Sequence, residues 1–278
     1  MNDRRPTAKG PRREAMSSTL RCFRVLEALA REPYEISLSE ISAEHGLPKG
    51  SAHRLMATLL ESGFVEQDES SRRYRLTGTA LWMGGAFLRH STLYRVAFPV
   101  LQELSARVEG LVHLGAWDRE SVLYLHTVGP PSSLYLFADT GERRPLHATG
   151  LGKAMLAFRP DADLARVFAQ SVERFTEKTI TEIDQMRREI EHIRAEGCAF
   201  DDEEGVLGLR CVAAPIWDRN GMACAAISAS APSHEMDGER RDRVGAIVRE
   251  GALRISVQMG YRPKTTNLSS LLRSRPPG

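Results

Sequence analysis

Apolar side chains in residues 36–76 recur first at helical spacing and then at strand spacing, which predicts a small mixed fold. Ser37 and Glu40 have the spacing of a capping box and Gly46 that of a helix stop, so a short helix is expected between them. A second helix is expected after the turn at 47–50, because one of its faces is apolar. That face carries Ala52, Leu55, Met56, Leu59 and Leu60.

Two extended segments follow the second helix. Gly63 ends that helix, and the segments 64–67 and 73–76 flank a polar turn as a hairpin does. An earlier helix at 18–31 is expected to close the core through Leu20, Phe23, Leu26, Leu29 and Ala30. Three helices and a hairpin over residues 18–77 predict a winged helix-turn-helix, in which the second helix of the motif enters the major groove of DNA.

The polar face of that helix and the hairpin turn supply the candidate DNA contacts. Short polar groups and an arginine near a helix N-terminus suit base edges and phosphates. The predicted contacts are Lys49, Ser51, His53, Arg54, Thr58, Arg72 and Arg73. Two alternatives stay open: Arg72 and Arg73 belong to an ordinary solvated hairpin, and His53 packs beside the apolar stripe.

An apolar segment follows the hairpin and predicts a linker helix over 78–91, although Gly84 and Gly85 weaken its helix propensity. Its apolar residues are Leu81, Trp82, Met83, Phe87 and Leu88. Such a surface is expected to be buried, either against a second copy of the chain in a homodimer or against the chain's own second domain. A long helix at 92–109 should be bent at Pro99 or begin there.

Beyond Leu111 the pattern changes to strands interspersed with helices. Two strands are expected in 112–128, a strand, a turn and another strand in 133–145, and a helix that opens near Gly150. Further helices are expected at about 161–170, 180–196 and 237–258, and two or three strands in 198–232. A mixed sheet with helices at its sides makes residues 92–262 an α+β domain.

Composition fits two soluble domains in 278 residues, with 42% hydrophobic and 27% charged side chains. The net charge of +2 hides basic tails at 1–17 and 263–278, which leave the middle of the chain acidic. Global charge therefore gives no support for DNA binding, and the local arrangement must carry it. Both tails are expected to be disordered, and the alternative is a basic arm on phosphates.

Other features place the chain in the cytoplasm and away from membranes. No apolar run approaches the roughly 20 residues that span a bilayer, and the basic N-terminus lacks the apolar stretch of a secretory signal. Cys22, Cys198, Cys211 and Cys224 lack zinc-site spacing and are expected to be buried thiols. Neither a metal nor a cofactor is expected.

Three segments, in this order, resemble the IclR family of bacterial transcriptional regulators: GLPKGSAHRLMATLLESGFVE, GERRPLHATGLGKAMLA and GCAFDDEEGVLGLRCVAAPIWDRNGMACAAISASAP. The resemblance covers about 18–262. It implies a winged helix, a dimerising linker and a GAF-like mixed α/β effector-binding domain, assembled as a homodimer or a dimer of dimers. It also implies a repressor or activator that binds operator DNA and responds to a small organic acid, in control of a catabolic pathway. The chain departs from the family at Gly50, where serine is frequent, and at Ala231, where glycine is usual.

The resemblance also implies an effector site. Backbone amides of Gly150 and Leu151 would receive the carboxylate of the effector, as a helix N-terminus favours an anion. Asp201 and Cys211 match the pocket acid and cysteine of the family. Ser228 and Ser230 match two pocket serines, and their spacing puts both hydroxyls on one face of a strand.

Each of these residues also has a structural interpretation: Ser228 and Ser230 as small residues in a crowded sheet, Cys211 as a core thiol, Asp201 as part of a turn. His147 and Lys153 suggest anion ligands but equally suit structural roles.

Two other functions compete with a ligand-controlled regulator. An enzyme would use Cys211 or Ser228 as nucleophile and His147 or His126 as base, but the chain has no nucleophile-elbow motif and no metal-ligand spacing, so no catalytic residue is predicted. An effector-independent, architectural DNA-binding protein would use its second domain only to associate.

Overall fold

A computed structural model describes residues 18–31, 34–130 and 140–263 and divides the chain into two compact units, with the boundary between Phe87 and Leu88. The predicted N-terminal tail lies outside the described residues, as do residues 264–278 of the predicted C-terminal tail and the first strand expected in 133–139. Within the described residues, no helix is both long enough and apolar enough to cross a membrane.

The first unit is a winged helix-turn-helix, as predicted. Its elements are helices α1 (Ser18–Leu29), α2 (Leu38–Glu44) and α3 (Lys49–Glu61), and the antiparallel strands β1 (Val65–Gln67) and β2 (Tyr74–Leu76). The linker helix α4 (Gly78–His90) follows. The capping box at α2 is present: the Ser37 hydroxyl accepts from the Glu40 amide at 3.3 Å, and the Glu40 carboxylate accepts from the Ser37 amide at 2.7 Å. Gly46, at φ +59°, follows the end of α2.

The face of α1 that packs into the core differs from the predicted one. Leu20 and Phe23 are 45% and 59% exposed. The buried residues are Val25, Ala28 and Leu29, with Cys22 and Leu26 partly buried beside them. The prediction is therefore confirmed for Leu26 and Leu29 and wrong for Leu20, Phe23 and Ala30, which are exposed. The core face is turned toward Val25 and Ala28, where α1 contacts α3 and β2. On α3 the predicted stripe is buried, apart from Leu60 at its edge.

The second unit is built on a six-stranded sheet whose described pairings are all antiparallel, where a mixed sheet was expected. Its order is β5-β4-β3-β8-β7-β6. Hairpins join β3 to β4 and β7 to β8, which explains the antiparallel pairing within those two pairs. The strands are β3 (Leu111–Asp118), β4 (Ser121–Val128), β5 (Arg143–Pro145), β6 (Ala199–Asp202), β7 (Leu209–Trp217) and β8 (Ala223–Pro232).

Helices cover both faces of this sheet, so the α+β fold is confirmed. The helices are α5 (Thr92–Val108), α6 (Gly150–Leu156), α7 (Asp161–Val167), α8 (Ile183–Glu196) and α9 (Gly238–Gln258). Helices α5 and α9 pack on one face, where Ile227 and Ala229 of β8 point. Helices α6 and α8 pack on the other, where the intervening Ser228 and Ser230 point.

Helix α5 begins at Thr92 and runs through Pro99, so the alternative start at Pro99 is wrong. The Ser91 hydroxyl caps the helix by accepting from the Tyr94 amide at 3.2 Å. This cap fixes the first turn upstream of the proline.

Candidate nucleic-acid interface and ligand cavity

Helix α3 separates an apolar face from an exposed polar face. Lys49, His53, Arg54 and Thr58 are exposed, and Ser51 is half-buried. A guanidinium nitrogen of Arg54 donates to the Ser51 hydroxyl at 3.3 Å, and the Thr58 hydroxyl donates to the Arg54 carbonyl at 3.1 Å. These contacts order a row of hydrogen-bonding groups on the solvent side, as a groove-reading helix requires.

The two predicted arginines of the hairpin have different surroundings. Arg73 donates from Nη2 to the Glu40 carboxylate at 2.8 Å and to the Glu35 carbonyl at 3.0 Å, so it ties the hairpin to α2. Arg72 is exposed at φ +57°, and its side chain makes no hydrogen bond or ion pair with the described residues. Arg72 is therefore the better placed of the two to contact a phosphate.

A groove of about 460 Å³ lies between α2, α3 and the hairpin. Lys49, His53 and Arg72 line it together with hydroxyl groups of Ser39 and Ser71. The fold thus brings three of the predicted DNA contacts to one concave surface.

The second unit places three predicted residues in one row across its sheet. Asp201 of β6 pairs with Cys211 of β7, which pairs with Ser230 of β8. The Ser230 hydroxyl donates to the Cys211 sulfur at 3.0 Å. Directly paired residues point to the same face of a sheet, so all three face α6.

These three residues line a cavity of about 60 Å³. Sequence reasoning missed other residues that line it: His113, Tyr124, Arg144, Thr149 and Phe175. Strand alternation offered a signal for Tyr124, which is in step with buried Val122 on β4. No local pattern marked Arg144 on the short strand β5.

Gly150, Leu151 and Ser228 are buried beside the cavity and are not among its lining residues. Gly150 lies directly on the sheet: a Cβ there would be 3.4 Å from that of Ala213, 3.5 Å from that of Cys211 and 3.6 Å from that of Asp201. Ser228 pairs with Ala213 and His113, one row away from Ser230.

A buried charge cluster supports the cavity floor. The Lys153 ammonium, fully buried, donates to Glu189 at 2.9 Å, to the Phe200 carbonyl at 2.7 Å and to Glu204. Burial lowers the pKa of Lys153, but the facing carboxylates outweigh it and the net direction is upward. Lys153 thus has a structural role, which was one of its two interpretations from the sequence, and is not placed to bind an anionic ligand.

The Lys153 cluster is joined to the cavity through Asp201, whose carboxylate accepts from the Glu204 amide at 2.9 Å. Burial raises the pKa of Asp201, although Lys153 and the amides of Glu204 and Gly150 oppose that shift. Burial also raises the pKa of Glu204, to about 7, with a smaller contribution from the carboxyl groups of Asp201 and Glu189, although Lys153 opposes the shift.

Two further lining groups are held uncharged. Burial lowers the pKa of His113 to about 4, and its Nδ1 lies 2.9 Å from the Thr127 hydroxyl. Burial, together with the nearby Asp201 carboxylate, raises the pKa of Cys211. His147, which the sequence suggested as an anion ligand together with Lys153, hydrogen-bonds through Nε2 to the Glu173 carbonyl at 2.8 Å. Among the described residues, no group of three or more His, Cys, Asp or Glu side chains is placed to hold a metal.

Comparisons with known proteins cover both units. The sequence model for the IclR helix-turn-helix domain matches residues 18–69, and the model described as "Bacterial transcriptional regulator IclR C-terminal" matches 85–257. The HTH-type transcriptional regulator KdgR of Escherichia coli K12 is 35% identical over 250 residues, covering 89% of this chain and 94% of the relative.

Two solved structures agree with these matches. IclR of Thermotoga maritima is 29% identical, with a TM-score of 0.71 over 88% of this chain and 99% of its own. An IclR homologue from Microbacterium hydrocarbonoxydans, complexed with 4-hydroxybenzoate, is 25% identical, with a TM-score of 0.75 over 87% and 99%.

Proposed function

The chain belongs to the IclR family of bacterial transcriptional regulators, and from that premise we propose how it works: α3 binds operator DNA, and a small organic acid in the cavity of the second unit controls that binding. The observation that supports this most is the cross-strand row of Asp201, Cys211 and Ser230, which lines a cavity. A second unit that served only for oligomerisation would not need polar side chains lining a cavity.

The proposed DNA contacts are the seven residues predicted from the sequence. Arg54 and Thr58 would reach base edges from the exposed face of α3, with Ser51 and His53 beside them. Lys49 and Arg72, which line one groove, would hold backbone phosphate. Arg73 would contribute in one of two ways. It would fix the hairpin to α2 through its ion pair with Glu40, or it would exchange that ion pair for one with a DNA phosphate.

The proposed effector is an organic acid, in keeping with the related structure that holds 4-hydroxybenzoate. Asp201, Cys211 and Ser230 would contact it from the cavity wall. Gly150, Leu151 and Ser228 belong to the proposed set as the layer against which that wall is built. Control of a catabolic pathway, as repressor or activator, is part of the proposal.

We propose a homodimer, or a dimer of dimers, formed through α4 and acting in the cytoplasm. Leu81 and Trp82 are 78% and 69% exposed, and Met83 and Phe87 are more than half exposed. A second copy covering this helix would remove the apolar surface from water. Two α3 helices must lie about 34 Å apart to enter successive major grooves. An effector that prefers one dimer geometry shifts the population toward it.

We propose no catalytic role for the cavity. The thiol of Cys211 is held protonated by burial, whereas a nucleophilic cysteine needs a lowered pKa. His147 is bound to a backbone carbonyl, and His126 packs against Tyr94 and Phe98.

The experiment combines operator binding with ligand-induced stabilisation. A duplex selected from random DNA by the full chain serves as operator, and a carboxylate library is screened for acids that raise the melting temperature. We expect an acid that does so to change operator affinity as well. Asp201→Ala combined with Ser228→Ala should abolish both responses, and the exposed pair Asp184→Ala with Ser171→Ala should keep them. A full response in the first double variant would place the effector elsewhere.

A further inference from the structure

Arg144 and Tyr124 face the cavity from the side opposite to the Asp201 edge of the sheet. We propose that these two residues bind the acidic group of the effector, while Asp201 accepts a hydrogen bond from a hydroxyl group of the same molecule. The effector class is then a small hydroxycarboxylic acid held with its carboxylate toward β5. This inference rests on the proposed function, because it takes the cavity to be the effector site.

Sheet register brings Arg144 and Tyr124 together. Arg144 pairs with Val122, and Tyr124 lies two residues further along the same strand. All three side chains therefore point to the face covered by α6. Strands β5 and β6 are the two edges of the sheet, so Arg144 and Asp201 approach one cavity from opposite edges.

The Arg144 guanidinium is ion-paired with Glu142 through Nε, but its two terminal nitrogens make no hydrogen bond or ion pair with the described residues and are available to a ligand. Its Nε lies 2.5 Å from a carboxylate oxygen of Glu142, but the two are not aligned for a hydrogen bond, and this nitrogen has no other partner among the described residues. A planar guanidinium binds a carboxylate through two parallel hydrogen bonds, which makes arginine the side chain best suited to this group.

The Tyr124 hydroxyl is a second donor at the same end. Tyr124 is only 9% exposed, and its hydroxyl makes no hydrogen bond with the described residues. Its ring packs edge-on against His113, with the centroids 5.7 Å apart. Because Tyr124 lines the cavity, this hydroxyl is free to donate a hydrogen bond to a polar occupant.

The Asp201 end is unsuited to an anion. Its carboxylate is buried and lies near the carboxyl group of Glu204, and Lys153 is already shared between Glu204 and Glu189. The amide of Gly150, which the family resemblance assigns to the effector carboxylate, faces Asp201 in this structure. An acceptor such as Asp201 pairs instead with a hydroxyl, and Gly150 supports Asp201 rather than the ligand.

The test measures the affinity of the full chain for lactate, glycerate and 4-hydroxybenzoate by titration calorimetry. Propionate and benzoate lack the hydroxyl, and lactamide and 4-hydroxybenzamide lack the charge. We expect the hydroxy acids to bind best. Arg144→Gln should weaken them by about 10- to 100-fold, as loss of charge-assisted hydrogen bonds does, and should leave the amides unchanged. Tyr124→Phe should weaken them about fivefold.

Arg143→Gln is the matched control, since Arg143 is the neighbouring residue, exposed and paired with Asp118 at 2.7 Å; it should bind like the wild type. Arg144→Lys should recover part of the lost affinity, which a folding defect would not allow. Asp201→Ala should erase the preference for a hydroxy acid over its counterpart without the hydroxyl.

Two results would overturn the inference and leave the effector site in place: wild-type affinity in Arg144→Gln while Asp201→Ala with Ser228→Ala abolishes binding, or wild-type protein that prefers the acids without a hydroxyl. Wild-type affinity in all of these variants would instead refute the proposed effector site. Wild-type protein that binds none of the hydroxy acids would also overturn the inference.

Discussion

The polar face of α3 and the cavity of the second unit use similar side chains at opposite degrees of burial. Arg54 and Thr58 stand in solvent, where water satisfies whatever the protein does not. Lys153, Asp201 and Glu204 are buried, so a donor or acceptor there that finds no partner within the protein costs free energy. A surface of the first kind changes partners freely, whereas a site of the second kind is specific because mismatched partners cost free energy.

The largest expected effect comes from the buried side of this comparison. Lys153→Met should lower the free energy of unfolding by about 3–5 kcal/mol, because it leaves the buried carboxylate of Glu204 and the partly buried one of Glu189 without their cation. Chemical denaturation measures this. Lys178→Met is the matched control: Lys178 pairs with Asp202 and Glu203 but is exposed, so stability should stay near the wild-type value. Equal losses in the two variants would remove the distinction between the regions.

Lowering the pH should reduce the stability of the protein, because the cavity wall contains a buried histidine. His113 is neutral when folded, with a pKa of about 4, but takes up a proton near pH 6.5 when unfolded. The unfolded state therefore binds more protons as the pH falls below 6.5, and stability declines with it. The loss at pH 5 should be about 2 kcal/mol. His113→Gln should show a correspondingly flatter fall between pH 7 and pH 5, and an unchanged slope would contradict the assignment.

On the exposed side, the effect should appear in binding and not in stability. Arg54→Ala should weaken operator binding by roughly 1–3 kcal/mol if Arg54 reads a base edge, with an unchanged melting temperature. Fluorescence anisotropy on labelled operator measures the first quantity. Arg187→Ala, an exposed arginine of α8, serves as control. An Arg54→Ala protein that binds normally would exclude Arg54 from the interface.

The smallest effect tests the local geometry that carries the exposed surface. Ser37→Ala removes the side-chain half of the capping box and should cost about 1 kcal/mol of stability. Ser39→Ala should cost less, because the Ser39 hydroxyl contacts only that of Ser37, at 3.0 Å, among the described residues. A larger loss at Ser39 than at Ser37 would mean that the cap does not hold α2.

What could be predicted from sequence follows the same division. The capping box and the apolar stripe of α3 depend on residues three or four positions apart, so local spacing sufficed. The shared face of Ser228 and Ser230 followed from strand alternation. The resemblance supplied Asp201 and Cys211, which the sheet brings into one row.

The missed residues depend on long-range register. Arg144 and Tyr124 reach the cavity because β5 pairs with β4 in one particular register, and His113 because β3 pairs with β8. A shift of one residue would turn each side chain to the other face. The buried face of α1 was mispredicted for a related reason, since tertiary contacts and not side-chain size selected Val25 and Ala28.

Helix α6 is buried along its whole length, and this constrains how such a regulator diversifies. Position 152 admits only glycine, because a Cβ there would collide with the carbonyl of Leu146. Residues at the rim, such as Phe175 and Val206, are exposed and meet no such restriction. We therefore expect substitutions at the rim to be tolerated, whereas any side chain at position 152 should disturb the packing of the helix.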